Sequence, residues 1–196
     1  MDDIQVLIPV TVMPRRRFMA TIPLLLATPV FSGLVGGDQE KEPPKSIPEL
    51  FTPEECERIK ASALAMDLEN FYGKGYSCAE SMLMVALRKL KQPESLVWCA
   101  AGFGGGLGQK DLCGYLTAGV MAIGLAAGQL KLERKEAKTR CSDWTKQYWT
   151  WWTGSFPLRC AEIRTPEADR DTCRRLGLRA AVRLDELLTQ MIPPVG

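Results

Sequence analysis

Histidine is missing from all 196 residues, and that absence excludes a large share of protein chemistry. Without it there is no Ser–His–Asp triad, no Cys–His pair, no imidazole-bound zinc and no C-x-x-C-H haem attachment. A Rieske-type iron–sulfur site is excluded for the same reason. The seven cysteines (Cys56, Cys78, Cys99, Cys113, Cys141, Cys160 and Cys173) include no C-x-x-C pair. Thioredoxin and zinc-ribbon motifs are therefore absent as well. After residue 50 there is no alternating run of β-branched residues, so the fold class expected is all-α. The formal net charge is only +2, and no long basic face lies outside the N-terminus. Nucleic acid is therefore not an expected partner.

What is present begins with three arginines. Arg15, Arg16 and Arg17 precede Phe18 and Met19, giving R-R-x-F-M, close to the twin-arginine export pattern. The apolar stretch 19–35 that follows is broken by Pro23 and Pro29 and is too short for a confident membrane span. Residues 1–37 are therefore expected to be an export signal, with cleavage after Ser32 or Gly37. Met13 would give a tidier start than Met1. The expected location is periplasmic or on the outer face of the cytoplasmic membrane, with membrane contact only through an uncleaved signal. The twin-arginine route carries folded proteins, commonly loaded with a cofactor, into a compartment that favours disulfides. Residues 38–50 read as a polar, proline-rich linker and 51–192 as the folded domain.

Two capping boxes punctuate that domain. Thr52-Pro53-Glu54-Glu55 starts a first helix, which Gly73 and Gly75 end. Ser77-Cys78-Ala79-Glu80 starts a second, with Cys78 at its first position, where exposed N–H groups stabilise a thiolate. Pro93 breaks this helix, and a short helix over 94–101 carries Cys99. Then come five glycines in seven residues, 102–108. Asp111 is expected to cap the next helix and to put Cys113 in its first turn. The run 112–127 has no charge, so this helix is expected to be buried on all sides. A long charged helix to about residue 153 carries Trp144, Tyr148, Trp151 and Trp152 as a core stripe. Thr165-Pro166-Glu167 reads as the start of the last helix, which would run to Gln190 with Cys173 two turns inside.

The order SCAE (77–80), GFGGGLG (102–108), CG (113–114), AGVMAIGL (118–125), Phe156-x-x-x-Cys160 and Cys173 resembles a known pattern. It is that of the redox-active proteins named for their cysteines, C_GCAxxG_C_C, a domain also related to that of split-Soret cytochrome c. The likeness covers about residues 55–190. It implies an all-α fold, a redox role, and Cys78, Cys113, Cys160 and Cys173 gathered in space around an iron–sulfur or related metal centre. No haem motif accompanies it, so no c-type haem is implied. The family usually has alanine two residues after the central cysteine and glycine three further on; here these are Tyr115 and Ala118. Pro157 stands where the family pairs Phe with Gly.

Three functions remain open at this point. The first is electron transfer or redox sensing through four thiolates on an iron–sulfur cluster. The second is thiol–disulfide exchange led by Cys78 or Cys113. The third is a helical domain stapled by disulfides or by a four-thiolate zinc. Cys56, Cys99 and Cys141 are extra to the pattern and read as small buried residues. The glycine loop lacks the Lys-Ser/Thr of a phosphate loop. Gly104, Gly105 and Gly106 are instead expected to let backbone N–H groups approach the cofactor's sulfurs. The redox partner protein is not identified by the sequence, which is also compatible with a homodimer.

Overall fold

The computed structural model describes residues 45, 47–168 and 171–192, which belong to a compact unit beginning at Glu42. The arginine cluster and the apolar stretch after it lie outside the described residues. Helices α1 (Pro53–Ala61), α2 (Ala63–Leu68), α3 (Cys78–Lys89), α4 (Gly114–Gln129), α5 (Arg134–Ser155), α6 (Cys160–Ile163) and α7 (Thr172–Met191) make up the fold together with a 3-10 helix over Glu94–Phe103, where a short helix was expected, and a short helical turn over Gly106–Lys110. No strand occurs among the described residues, as an all-α class requires.

Both capping boxes form. The Thr52 hydroxyl accepts from Glu55 N and the Glu55 carboxylate from Thr52 N; Ser77 and Glu80 do the same. Each such cap contributes about 1 kcal/mol. The first helix, however, does not run through to the glycines. It breaks at Ser62, whose hydroxyl caps α2 and also donates to Asp185 of α7 at 2.6 Å. That tertiary contact overrides local propensity.

Helix α4 packs on α3, α5 and α7. Its small residues allow close approach: the Tyr148 ring of α5 lies where a Cβ at Gly119 would be. The expectation of burial on every side needs correction. Gly124 and Gly128 are exposed and Val120, Met121 and Leu125 are half-buried, so one flank of α4 is partly open. On α5, Tyr148 and Trp152 are fully buried and Trp151 only partly so. On α7, Leu176, Ala180, Leu184 and Leu187 are fully buried.

Two further boundaries differ from expectation. Asp111 does not cap α4; Cys113 itself is the N-cap, and the Asp111 side chain pairs with Arg159 at 3.5 Å. Thr165 starts no helix. The chain makes the one-turn α6 and a loop, and α7 begins at Thr172, so Cys173 lies in its first turn and not two turns in.

Candidate functional site

Four segments each deliver one cysteine to the start of a helix. Cys78 is the first residue of α3, Cys113 the N-cap of α4, Cys160 the first residue of α6 and Cys173 the second of α7. All four line one cavity of about 210 Å³. Backbone N–H groups at helix starts carry partial positive charge and favour an anion. Here four helix starts give their cysteines to one space.

The positioning is done by backbone. Cys113 N donates to Leu158 O at 2.9 Å, and Cys160 N donates to Asp111 O at 2.7 Å. These two bonds clamp 111–113 against 158–160 and fix Cys113 beside Cys160. Cys78 is held from the other side by Gly114. A Cβ there would lie 2.6 Å from the Cys78 sulfur and 3.0 Å from Phe103 O. The glycine after the central cysteine is thus the seat of the Cys78 sulfur. Tyr72 lines the same cavity as Cys173 and favours its thiolate.

Burial governs the thiols' acidity. It pushes Cys113 far up; the N–H groups of Tyr115 and Leu116 pull in the opposite direction but do not prevail. Burial also raises Cys160 and Cys173, against the pull of the Arg164 guanidinium. A helix start alone does not make Cys113 a ready thiolate: at 5 % exposure, desolvation wins. Arg164 lines the cavity and makes no ion pair among the described residues.

The glycine loop contributes less directly than expected. Gly105 lines the cavity, whereas Gly104 packs on Ser77 and Gly106 on the Asp111 backbone. Gly105, Gly106, Leu107 and Gly108 all have positive φ, from 59° to 68°. For Leu107 that conformation is costly, and its side chain is 44 % exposed. The loop is a left-handed turn that brings the chain back to Asp111.

Tyr115 completes the wall. Its side chain is fully buried, and its hydroxyl is one of two buried side-chain atoms left without a hydrogen-bond partner among the described residues. Its ring end rests on Gly177 of α7, where a Cβ would lie 2.6 Å from Cζ. The Tyr72 and Tyr115 ring centroids are 5.9 Å apart.

Cys56, Cys99 and Cys141 stand apart from this cavity. Cys99 is exposed, contrary to its reading as a small buried residue, and Cys56 and Cys141 are half-buried. Sequence reasoning missed Tyr72 and Arg164. The one signal for them was position: Tyr72 adjoins the Gly73–Gly75 turn before SCAE, and Arg164 follows Cys160 by one helical turn.

Residues 76–187 match the family described as "Putative redox-active protein (C_GCAxxG_C_C)". No curated protein and no solved structure matches the chain. The family match spans more than half of the sequence and includes all four cavity cysteines, so the chain belongs to that family.

Proposed function

We propose that this member of the C_GCAxxG_C_C family is an exported electron-transfer or redox-sensing protein built around a centre held by Cys78, Cys113, Cys160 and Cys173. The observation that carries the reading is the sharing of one cavity by four helix-start cysteines. The donor chemistry fits a thiolate-bound centre. Buried thiols that resist ionisation lose their protons when a cation sits among them. The partnerless Tyr115 hydroxyl needs an acceptor, which sulfide or thiolate sulfur would supply. Among the described residues, no three Cys, Asp or Glu side chains stand close enough to grip a single metal ion. An iron–sulfur cluster, when bound, would supply one-electron chemistry. The protein's own residues would exclude water, fix the sulfurs and offset negative charge through Arg164.

Dithiol–disulfide exchange is the second reading. Tyr72 and Arg164 both pull Cys173 toward the thiolate that an attacking or leaving thiol needs, against the larger upward effect of burial.

Purification without air separates these readings. Iron and sulfide in equal amounts, with visible absorbance that Cys78→Ser and Cys113→Ser each abolish, are expected for the cluster. Iron retained in full by both variants sinks the four-ligand assignment. A metal-free protein with a titratable dithiol points to exchange. Export through residues 1–37 belongs to the same proposal. Replacing Arg15, Arg16 and Arg17 with lysine should hold the protein in the cytoplasm, and unaltered fractionation would refute it.

A further inference from the structure

A second cavity, of about 250 Å³, opens between α1, α5 and α7. Two features of the sequence shape it. Helix α5 ends at Ser155, and Phe156 leaves it in an extended conformation that sets its ring against Trp151, edge to face with centroids 5.4 Å apart. Helix α1 is drawn onto α7 by Glu55, whose carboxylate accepts two bonds from Arg179 at 2.7 and 3.0 Å. Ile59 and Val182 complete the apolar wall. An apolar lining with a few placed polar groups is typical of small-molecule sites, and a volume below the usual ~300–1,000 Å³ limits the occupant to one or two rings.

The charge at the edge narrows the choice. Arg58, Arg179 and Glu55 line the cavity, and no further acidic residue does. Arg58 is joined to Arg183 through Glu186, whose two oxygens each pair with one guanidinium, at 2.5 and 3.2 Å. Three guanidiniums therefore share two carboxylates, Glu55 and Glu186, and one positive charge is left over. Glu55 remains an anion: the hydrogen bond from Arg179, with Thr52 N and the charges of Arg179 and Arg58, outweighs burial and holds its carboxyl below the ordinary value. Arg183 Nε is buried without a hydrogen-bond partner among the described residues, so the cluster is short of acceptors as well as of negative charge.

The two guanidiniums at the cavity differ in what they can offer. Arg179 is used in holding the fold: beyond Glu55 it donates to Pro48 O and Leu50 O, and its side chain is only 6 % exposed. The Arg58 side chain is 55 % exposed, and its guanidinium makes one hydrogen bond among the described residues, from Nη2 to Glu186. Its other N–H groups face the rim. A single surplus charge beside aromatic rings matches a single negative charge carried on a ring. A neutral ring would leave the surplus unanswered, and a phosphate monoester would bring one charge too many into a partly desolvated place.

We infer that this cavity binds a small aromatic monocarboxylate, with its ring against Trp151 and Phe156 and its carboxylate on the Arg58 guanidinium. The inference goes beyond the redox reading and does not depend on what the four cysteines hold.

Calorimetry on the full chain at neutral pH is the test, with 2-naphthoate as the probe and 2-naphthamide as its neutral isostere. One naphthoate should bind per chain, and the amide should bind at least about tenfold more weakly, the worth of a charge-assisted hydrogen bond. Arg58→Gln removes the surplus charge and should weaken naphthoate by a similar factor while leaving the amide unchanged. Glu186→Gln adds to the surplus and should tighten naphthoate. Ile59→Phe fills the cavity and should weaken both ligands; Ser155→Phe, at an exposed position in the same wall, serves if Ile59→Phe fails to fold. No binding of naphthoate, or equal binding by a folded cavity-filling variant, overturns the site. Equal binding of acid and amide, or an affinity for the acid that Arg58→Gln and Glu186→Gln leave unchanged, overturns the charge assignment, as does 2-naphthyl phosphate binding as tightly as naphthoate. Iron analysis of the same samples reports separately on the cluster. A protein without iron that binds naphthoate refutes the cluster and leaves this inference standing.

Discussion

The corner around Asp185 and the cysteine cavity lie in the same bundle and are built on opposite terms. At Asp185 every polar group is answered. One carboxylate oxygen accepts from Ser62 Oγ and Leu64 N, and the other pairs with Lys89, which also donates to Thr189. Burial pushes this carboxyl up, yet the bonds from Lys89, Ser62 and Leu64 outweigh it and hold it below its ordinary value. At the cysteine cavity, burial prevails. Three thiols are pushed up and a buried hydroxyl has no partner. A protein that satisfies its polar groups in one place and leaves them short in another marks the second as the place where a ligand completes the structure.

The largest effect should come from the satisfied corner. Asp185→Ala leaves Lys89 and Ser62 without their acceptor and should cost about 3 kcal/mol in denaturant unfolding, while leaving bound iron per folded chain unchanged. The carboxyl's native value is depressed, so its contribution is complete well above pH 3.8, the ordinary value, and is lost as pH falls through the native value. Asp185→Asn should flatten that acid limb. An acid limb as steep in Asp185→Asn as in the parent would show that the corner is not what acid breaks.

An intermediate effect is expected in the wall of the cysteine cavity itself. Gly114→Ala drives a methyl into the Cys78 sulfur and Phe103 O. It should destabilise by about 2 kcal/mol and also displace the Cys78 sulfur, so that under the proposed cluster iron and visible absorbance fall together. A stability loss with full iron content would make Gly114 a packing residue only.

The smallest effect should have the opposite sign. Tyr115→Phe removes a hydroxyl that has no partner, so the metal-free protein should gain about 1 kcal/mol. The loaded protein should release its metal faster to a chelator. A metal-free variant less stable than its parent would show that the hydroxyl already has an acceptor.

Local chemistry made much of the fold legible in the sequence. Thr52–Glu55 and Ser77–Glu80 mark helix starts because each cap is satisfied within four residues. The break at Ser62 was not legible, because its cause is Asp185 on a distant helix. The same holds for the N-terminus of α4, where pairing with Arg159 removes Asp111 from the cap. In the site, the resemblance singled out the four cysteines and spacing alone did not. Tyr72 and Arg164 went unread because no local pattern distinguishes a tyrosine or arginine that faces a cavity from one that faces water.

The clamp between 111–113 and 158–160 has a consequence for the order of biosynthesis. Cys78 and Cys113 leave the ribosome early, but the segment that pins Cys113 comes much later, and Cys173 later still. At ~5–20 residues per second the nascent chain carries an unfinished cavity for several seconds. A half-made chain has two of the four cysteines and none of the later clamp. The cavity is therefore complete only at the end of translation, and a truncated product is left with an unfinished one.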